Sequence, residues 1–80
     1  MTAKLPITLV VVARDEERNL PRCLDAADFC AETLVVDSGS TDRTVVIARE
    51  RGARVLERAW TGYRDQKNFG VEQAGQPWVL

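Results

Sequence analysis

Two uninterrupted apolar runs constrain this chain more than anything else in it. Residues 7–12 read ITLVVV; the second run, LVV at 34–36, goes straight into Asp37 within ETLVVD, read as a strand over 32–37. Both are rich in β-branched side chains, and neither alternates with polar residues. Strands of that kind are buried on both faces, as in a parallel sheet covered by helices. The segments between them fit. Leu20, Leu24 and Ala27 recur at helical spacing behind Asn19, a candidate N-cap, with Pro21 in the first turn, so a helix is expected over 20–28. Ser40, Thr41 and Asp42 are capping residues ahead of a second helix over 43–53, closed by Gly52. Residues 54–58 read as a third strand, 64–75 as a third helix ended by Gly75 and Pro77, and 77–80 as the opening of a fourth strand. The order βαβαβαβ implies an α/β fold, a three-layer α/β/α arrangement around a parallel sheet with right-handed crossovers.

Length and composition narrow the choice. The 80 residues admit one domain, near the small end of what buries a core. With 45% hydrophobic and 29% charged residues the chain is not of the disordered class. Eleven basic and twelve acidic residues give a net charge of −1, which leaves no electrostatic footprint for nucleic acid or an anionic membrane surface. No apolar run approaches the roughly 18 residues of a membrane span. The start, MTAKLPITLVVVARDEE, lacks the long apolar core and cleavage site of a signal peptide, so a cytoplasmic protein is expected. Cys23 and Cys30 stand in no metal or redox spacing, the chain has no histidine, and both cysteines read as reduced, partly buried thiols. The last residues sit inside an expected core strand, whose sheet edge would stand uncovered. That reads as the first, truncated part of a longer chain.

In open parallel sheets, ligands bind beyond the C-terminal ends of the strands, where the strand order reverses. With strand 1 central, strands 2 and 3 on one side and strand 4 on the other, the loop of residues 13–18 and Asp37 would border that point. A carboxylate on a strand tip is held by the sheet and accepts hydrogen bonds from a ribose hydroxyl or a base N–H. Ser38, Gly39 and Ser40 are small enough to admit a ligand to the backbone, and they lead into a helix N-terminus. The same residues equally suit a braced turn with helix-capping side chains. On the residues alone both readings stand.

ITLVVVARDEERNLPRCL, LVVDSGSTDRTVVIA and WTGYRDQKNFGVEQAGQPWVL together resemble the N-terminal half of a family 2 glycosyltransferase of the Rossmann-like GT-A fold. Within it they resemble the bacterial lipopolysaccharide-core β-glucosyltransferase type. The resemblance covers residues 6–80 and implies an enzyme that transfers a hexose from a nucleotide diphosphate sugar, by subgroup UDP-glucose, to a glycan or lipid-linked acceptor. Residues 1–80 would be the nucleotide-sugar-binding part of that domain, in the cytoplasm or peripheral at the inner face of its membrane. The resemblance places the loop of Ala13, Arg14, Asp15 and Glu16 against the nucleotide, with Asp15 where the family more often has Asn. It places Asp37 against the base or ribose, with Ser38 and Ser40 beside it. Gln66, Lys67 and Asn68 fall on a helix whose polar residues face the donor site, Lys67 approaching the diphosphate as a point charge. Trp60, Tyr63 and Phe69 read as packing residues rather than sugar platforms. The family's Asp-x-Asp motif, which binds Mg²⁺ or Mn²⁺, and its catalytic base are expected beyond Leu80. The 80 residues alone would then hold no metal and perform no transfer.

Three other readings compete. A phospho-receiver places its acids after strands 1 and 3, whereas here they follow strands 1 and 2. An actin-like ATPase shares the Asp-x-Gly-Ser-Thr string but requires a strand over 44–51. A non-catalytic α/β binding module needs neither.

Overall fold

The computed structural model describes residues 4–80; residues 1–3, the start of the stretch read above for a signal peptide, lie outside it. The elements are β1 (Leu5–Ala13), α1 (Leu20–Ala26), β2 (Cys30–Asp37), α2 (Thr44–Glu50), β3 (Arg54–Glu57), α3 (Tyr63–Gln73) and β4 (Trp78–Val79). The expected βαβαβαβ order is the observed one. The sheet runs β3-β2-β1-β4, and all three pairings are parallel. This order puts the reversal at β1 and separates the fold from the receiver order, in which strand 1 lies between strands 2 and 3. A helix over 44–50 likewise removes the actin-like reading, which needed a strand there.

The apolar runs sort by parity onto two faces. Ala13, Leu20, Leu24, Val35, Ala48 and Ala53 form one core cluster, under α1 and α2. Val10, Leu34 and Val36 form the other, with Leu56 and Phe69 packed against it from β3 and α3. Leu34, Val35 and Val36 are all fully enclosed, so β2 is buried on both faces, as its unbroken apolar run requires.

Several local expectations shift. β1 and β2 begin two residues earlier than read, because the strand ladder extends past the apolar runs to Leu5 and Cys30. The helices are shorter, and none has a side-chain bond from the residue in its N-cap position. Asn19 occupies the N-cap position of α1, but its amide bonds the Glu16 carboxylate instead. At α2 the N-cap position is Arg43; Ser40 and Thr41 bond the loop after β1, while Asp42 accepts the amide of Thr44, the first helical residue, at 2.9 Å. Trp60 and Tyr63 are exposed rather than packed; they precede the turns of α3 that meet the sheet. Of the cysteines, Cys30 is buried and Cys23 exposed, both free.

Two contacts fix the outer elements. Helix α3 lies on the sheet at Gly70, where an added Cβ would stand 2.4 Å from Val10 Cγ1 and 3.1 Å from Val36 Cγ2. At the N-terminal end of the sheet, Glu32 accepts the Thr8 hydroxyl at 2.7 Å and the Gly75 amide at 2.8 Å, with Arg54 alongside. The Gly75 amide, the Thr8 hydroxyl and the Arg54 charge together hold the Glu32 carboxyl below the usual carboxylate range, against the opposing effect of burial.

Gly70→Ala should cost about 1–3 kcal/mol by overpacking, more than the roughly 1 kcal/mol that alanine gains in helix propensity. Urea unfolding checks it; a stabilised variant would mean that α3 does not sit this close. Glu32 has a lower pKa folded than unfolded, so its contribution is complete above the ordinary glutamate value and is lost as pH falls through the folded one. Glu32→Gln should therefore unfold with a weaker acid dependence than wild type. Identical slopes of stability against pH would contradict the Glu32 contacts.

Candidate functional site

The tips of β1, β2 and β3 end flush. Ala13 pairs with Asp37, and Asp37 with Glu57. Beyond them the Ser38 amide donates to the Ala13 carbonyl at 2.9 Å, and the Arg58 amide to the Asp37 carbonyl at 2.9 Å. The polar loops after β1 and β2 therefore start side by side.

They are laced together. Three successive amides of the first loop donate to side chains of the second: Asp15 to Ser40 Oγ at 2.9 Å, Glu16 to Thr44 Oγ1 at 2.8 Å, and Glu17 to Asp42 Oδ2 at 3.3 Å. In return the Thr41 amide donates to Asp15 Oδ1 at 2.7 Å. Asp15 adopts φ 52°, a left-handed conformation that aspartate and asparagine tolerate better than other side chains. That accounts for either residue at this position. The Thr44 hydroxyl and amide close a turn onto Asp42 and hold its carboxyl below the usual range.

Asp37 is enclosed, only 1% exposed. Its Oδ2 accepts the amides of Gly39 (3.1 Å) and Ser40 (2.9 Å), and its Oδ1 accepts the Ser40 hydroxyl. Gly39 itself has φ 95°, which favours glycine there. An ionised carboxylate offers about four acceptor positions, so Oδ1 retains one. Ser38 is buried beside it, its hydroxyl accepting the Gln66 amide at 2.9 Å.

The other residues singled out from sequence disperse. Ala13 is buried, while Arg14 and Glu16 are exposed at the loop surface. Glu16 borders a small apolar hollow of about 190 Å³ with Val11, Val12, Asn19, Leu20 and Cys23. Lys67 donates its ammonium to the Val10 carbonyl at 2.9 Å, on the β1 edge whose Val10 amide bonds the Leu80 carbonyl. Asn68 lines a separate hollow of about 250 Å³ with Arg58, Asp65, Phe69 and Glu72. Gln66 does not face outward: it is fully buried behind the strand tips. Among the described residues no three acidic or cysteine side chains converge as a metal site, and no helix is long and apolar enough to cross a membrane.

Sequence reading named Asp42 as a helix cap but missed its bond to the neighbouring loop, and it missed Thr44 and Arg58 as structural parts of this end of the molecule. The Asp-x-Thr spacing at 42–44 was the available signal for a side-chain turn; Arg58 had none.

Comparison with known proteins gives the site its context. The profile described as Glycosyl transferase family 2 matches residues 8–80. A lipopolysaccharide core biosynthesis glycosyltransferase, LpsC of Rhizobium meliloti, is 39% identical; the match covers all of this chain and 32% of LpsC. An uncharacterized glycosyltransferase of Rickettsia bellii is 36% identical over 92% of this chain and 26% of its own length. Glucosyl-3-phosphoglycerate synthase from Mycobacterium tuberculosis, solved with uridine diphosphate, superposes with a TM-score of 0.77 at 27% identity, over 91% of this chain and 31% of that one. The same synthase has been solved with Mn²⁺, uridine diphosphate and glucosyl-3-phosphoglycerate. The chain thus spans a third or less of these relatives.

Asp15→Asn should leave the loops laced and the melting temperature unchanged, since its amide oxygen still accepts Thr41. Asp15→Ala should melt earlier, losing both that acceptor and the tolerance of positive φ. Equal melting of the two variants in a thermal scan would contradict the lacing.

Proposed function

Because this chain belongs to glycosyl transferase family 2, we propose that its 80 residues form the nucleotide-sugar-binding part of a glycosyltransferase. The activity is transfer of a hexose from a nucleoside diphosphate sugar to a glycan or lipopolysaccharide-core acceptor. One observation carries the proposal. Two parallel neighbours, β1 and β2, end in register at Ala13 and Asp37, at the reversal of strand order, with their loops locked to each other. The synthase complexes with uridine diphosphate support uridine as the nucleoside, and the likeness to LpsC supports a lipopolysaccharide-core acceptor.

Each residue has a role in this reading. The backbone of Ala13 and Arg14 and the side chains of Arg14 and Glu16 flank the nucleoside. Asp37 offers its remaining Oδ1 position to a ribose hydroxyl or base N–H, and Ser38 lies beside it. Lys67 leaves the Val10 carbonyl to meet the diphosphate, and Asn68 follows on the same helix. A divalent cation, Mg²⁺ or Mn²⁺, would neutralise the leaving diphosphate. The family resemblance assigns the metal-binding and catalytic acids to positions outside these 80. The reaction is placed in the cytoplasm or at the inner face of its membrane, where a nucleotide sugar and a nascent glycolipid meet.

Calorimetric titration with UDP-glucose tests the site. Saturable one-to-one binding is expected, weakened about tenfold or more by Asp37→Asn, whose amide nitrogen cannot accept. The 80 residues should release no uridine diphosphate from UDP-glucose in the presence of acceptor and Mn²⁺. Absence of binding would defeat the proposal, and measurable transfer would defeat the assignment of catalysis to other residues.

A further inference from the structure

Gln66 is the one residue of α3 that combines complete burial with a polar side chain. Its carboxamide is fully used. Oε1 accepts Arg58 Nη1 at 2.5 Å, and Nε2 donates to the Arg58 carbonyl at 2.9 Å and to Ser38 Oγ at 2.9 Å. Two partners fix which way the amide points. A guanidinium only donates, so the oxygen must face it; a carbonyl only accepts, so the nitrogen must face that. A flipped amide would satisfy neither. Arg58 is in turn held over the Phe69 ring, 4.9 Å from its centroid, and by the Thr61 hydroxyl at 3.0 Å.

The consequence falls on Ser38. Its oxygen receives a hydrogen from Gln66, and an amide nitrogen has no lone pair to receive one back. The Ser38 hydroxyl hydrogen must find another acceptor, and among the described residues none takes it. The hydroxyl of a buried residue, one position beyond Asp37, is thereby left with an unspent donor. We infer that Gln66 is a positioning residue of the donor site: it fixes the Ser38 hydroxyl as a hydrogen-bond donor to the nucleotide. The inference rests on the proposed donor site. Gln66 touches no ligand itself. Its reach depends on Gly70, one turn later, which lets α3 approach the sheet closely enough for the carboxamide to pass beneath the tips of β2 and β3.

Uridine diphosphate titrated into wild type, Ser38→Ala, Gln66→Leu, the double variant and Gln66→Glu tests this, with circular dichroism confirming that each is folded. Ser38→Ala and Gln66→Leu should each weaken binding about tenfold, the scale of one hydrogen bond to a charged or polar ligand. The double variant should bind no worse than Ser38→Ala alone, because Gln66 acts through Ser38. For Gln66→Glu, affinity relative to wild type should rise as pH falls. Only the protonated carboxyl can donate to Ser38 while still accepting from Arg58, and a merely structural role would not produce that pH profile. Additive losses, or a folded Gln66→Leu that binds as wild type does, would overturn the inference. If Gln66→Leu does not fold, the pH profile of Gln66→Glu decides, and a flat ratio to wild type overturns it. If wild type binds no uridine diphosphate, the donor-site reading fails first and Gln66 loses its role with it. Wild-type binding with an unaffected Gln66 variant removes only the positioning role.

Discussion

The arrangement of the candidate site depends on one device: three consecutive amides, at positions 15, 16 and 17, each donating to a side chain of the neighbouring loop. Irregular backbone at the end of a buried sheet carries unspent donors and would otherwise rely on water or on ordering entropy. Here the hydroxyls and carboxylates of Ser40, Thr44 and Asp42 take those donors up. Ser40 does this while also bonding Asp37, so the tip of β2 and the loop after β1 are held as one piece. The polar string after the buried strand is therefore first a structural part. Its capacity for ligands is what remains once these bonds are made.

What remains is small and specific. Asp37 keeps one acceptor position, Ser38 one donor, and the exposed side chains of Arg14 and Glu16 stand at the loop surface. A pair of opposite hydrogen-bonding capacities on adjacent residues suits a group with both a donor and an acceptor, as a nucleobase edge has. Helix α3 connects this corner to the rest of the fold. Gly70 lets it approach the sheet, Gln66 uses that approach to reach Ser38, and the next residue, Lys67, ends on the β1 edge. Three residues within one and a half turns thus tie the site to the core, two by their side chains and Gly70 by lacking one.

Much of the fold was legible in sequence because one physical cause dominates it. An apolar run without alternation is most stable as a strand covered on both faces, and residues 34–36 took that setting in full; residues 7–12 formed the expected strand, but only Thr8 and Val10 of it are enclosed and their neighbours are partly buried. The topology followed from alternation of strands with helices. Helix caps were less legible, because Ser40 and Asp42 have two uses: Ser40 went to the neighbouring loop, and Asp42 both accepts the first amide of α2 and takes the Glu17 amide. Trp60 and Tyr63 misled for a related reason: aromatic character favours burial, but burial requires a neighbour, and none covers them at the start of α3. Gln66 was read as facing the donor on the family resemblance alone, which assigns the polar residues of this helix to the donor site. Its burial depends on the distance between helix and sheet, which Gly70 sets and which no local pattern displays.

The central claim is that the donor nucleotide meets this chain at the C-terminal tips of β1 and β2. Amide chemical-shift mapping with UDP-glucose on ¹⁵N-labelled protein tests it most directly. The account predicts that the signals of Arg14, Glu16, Ser38 and Gly39 move on titration while those of Thr8, Glu32 and Gly75, at the far end of the sheet, stay in place. Shifts concentrated at that far end, or none at any ligand concentration, would contradict it.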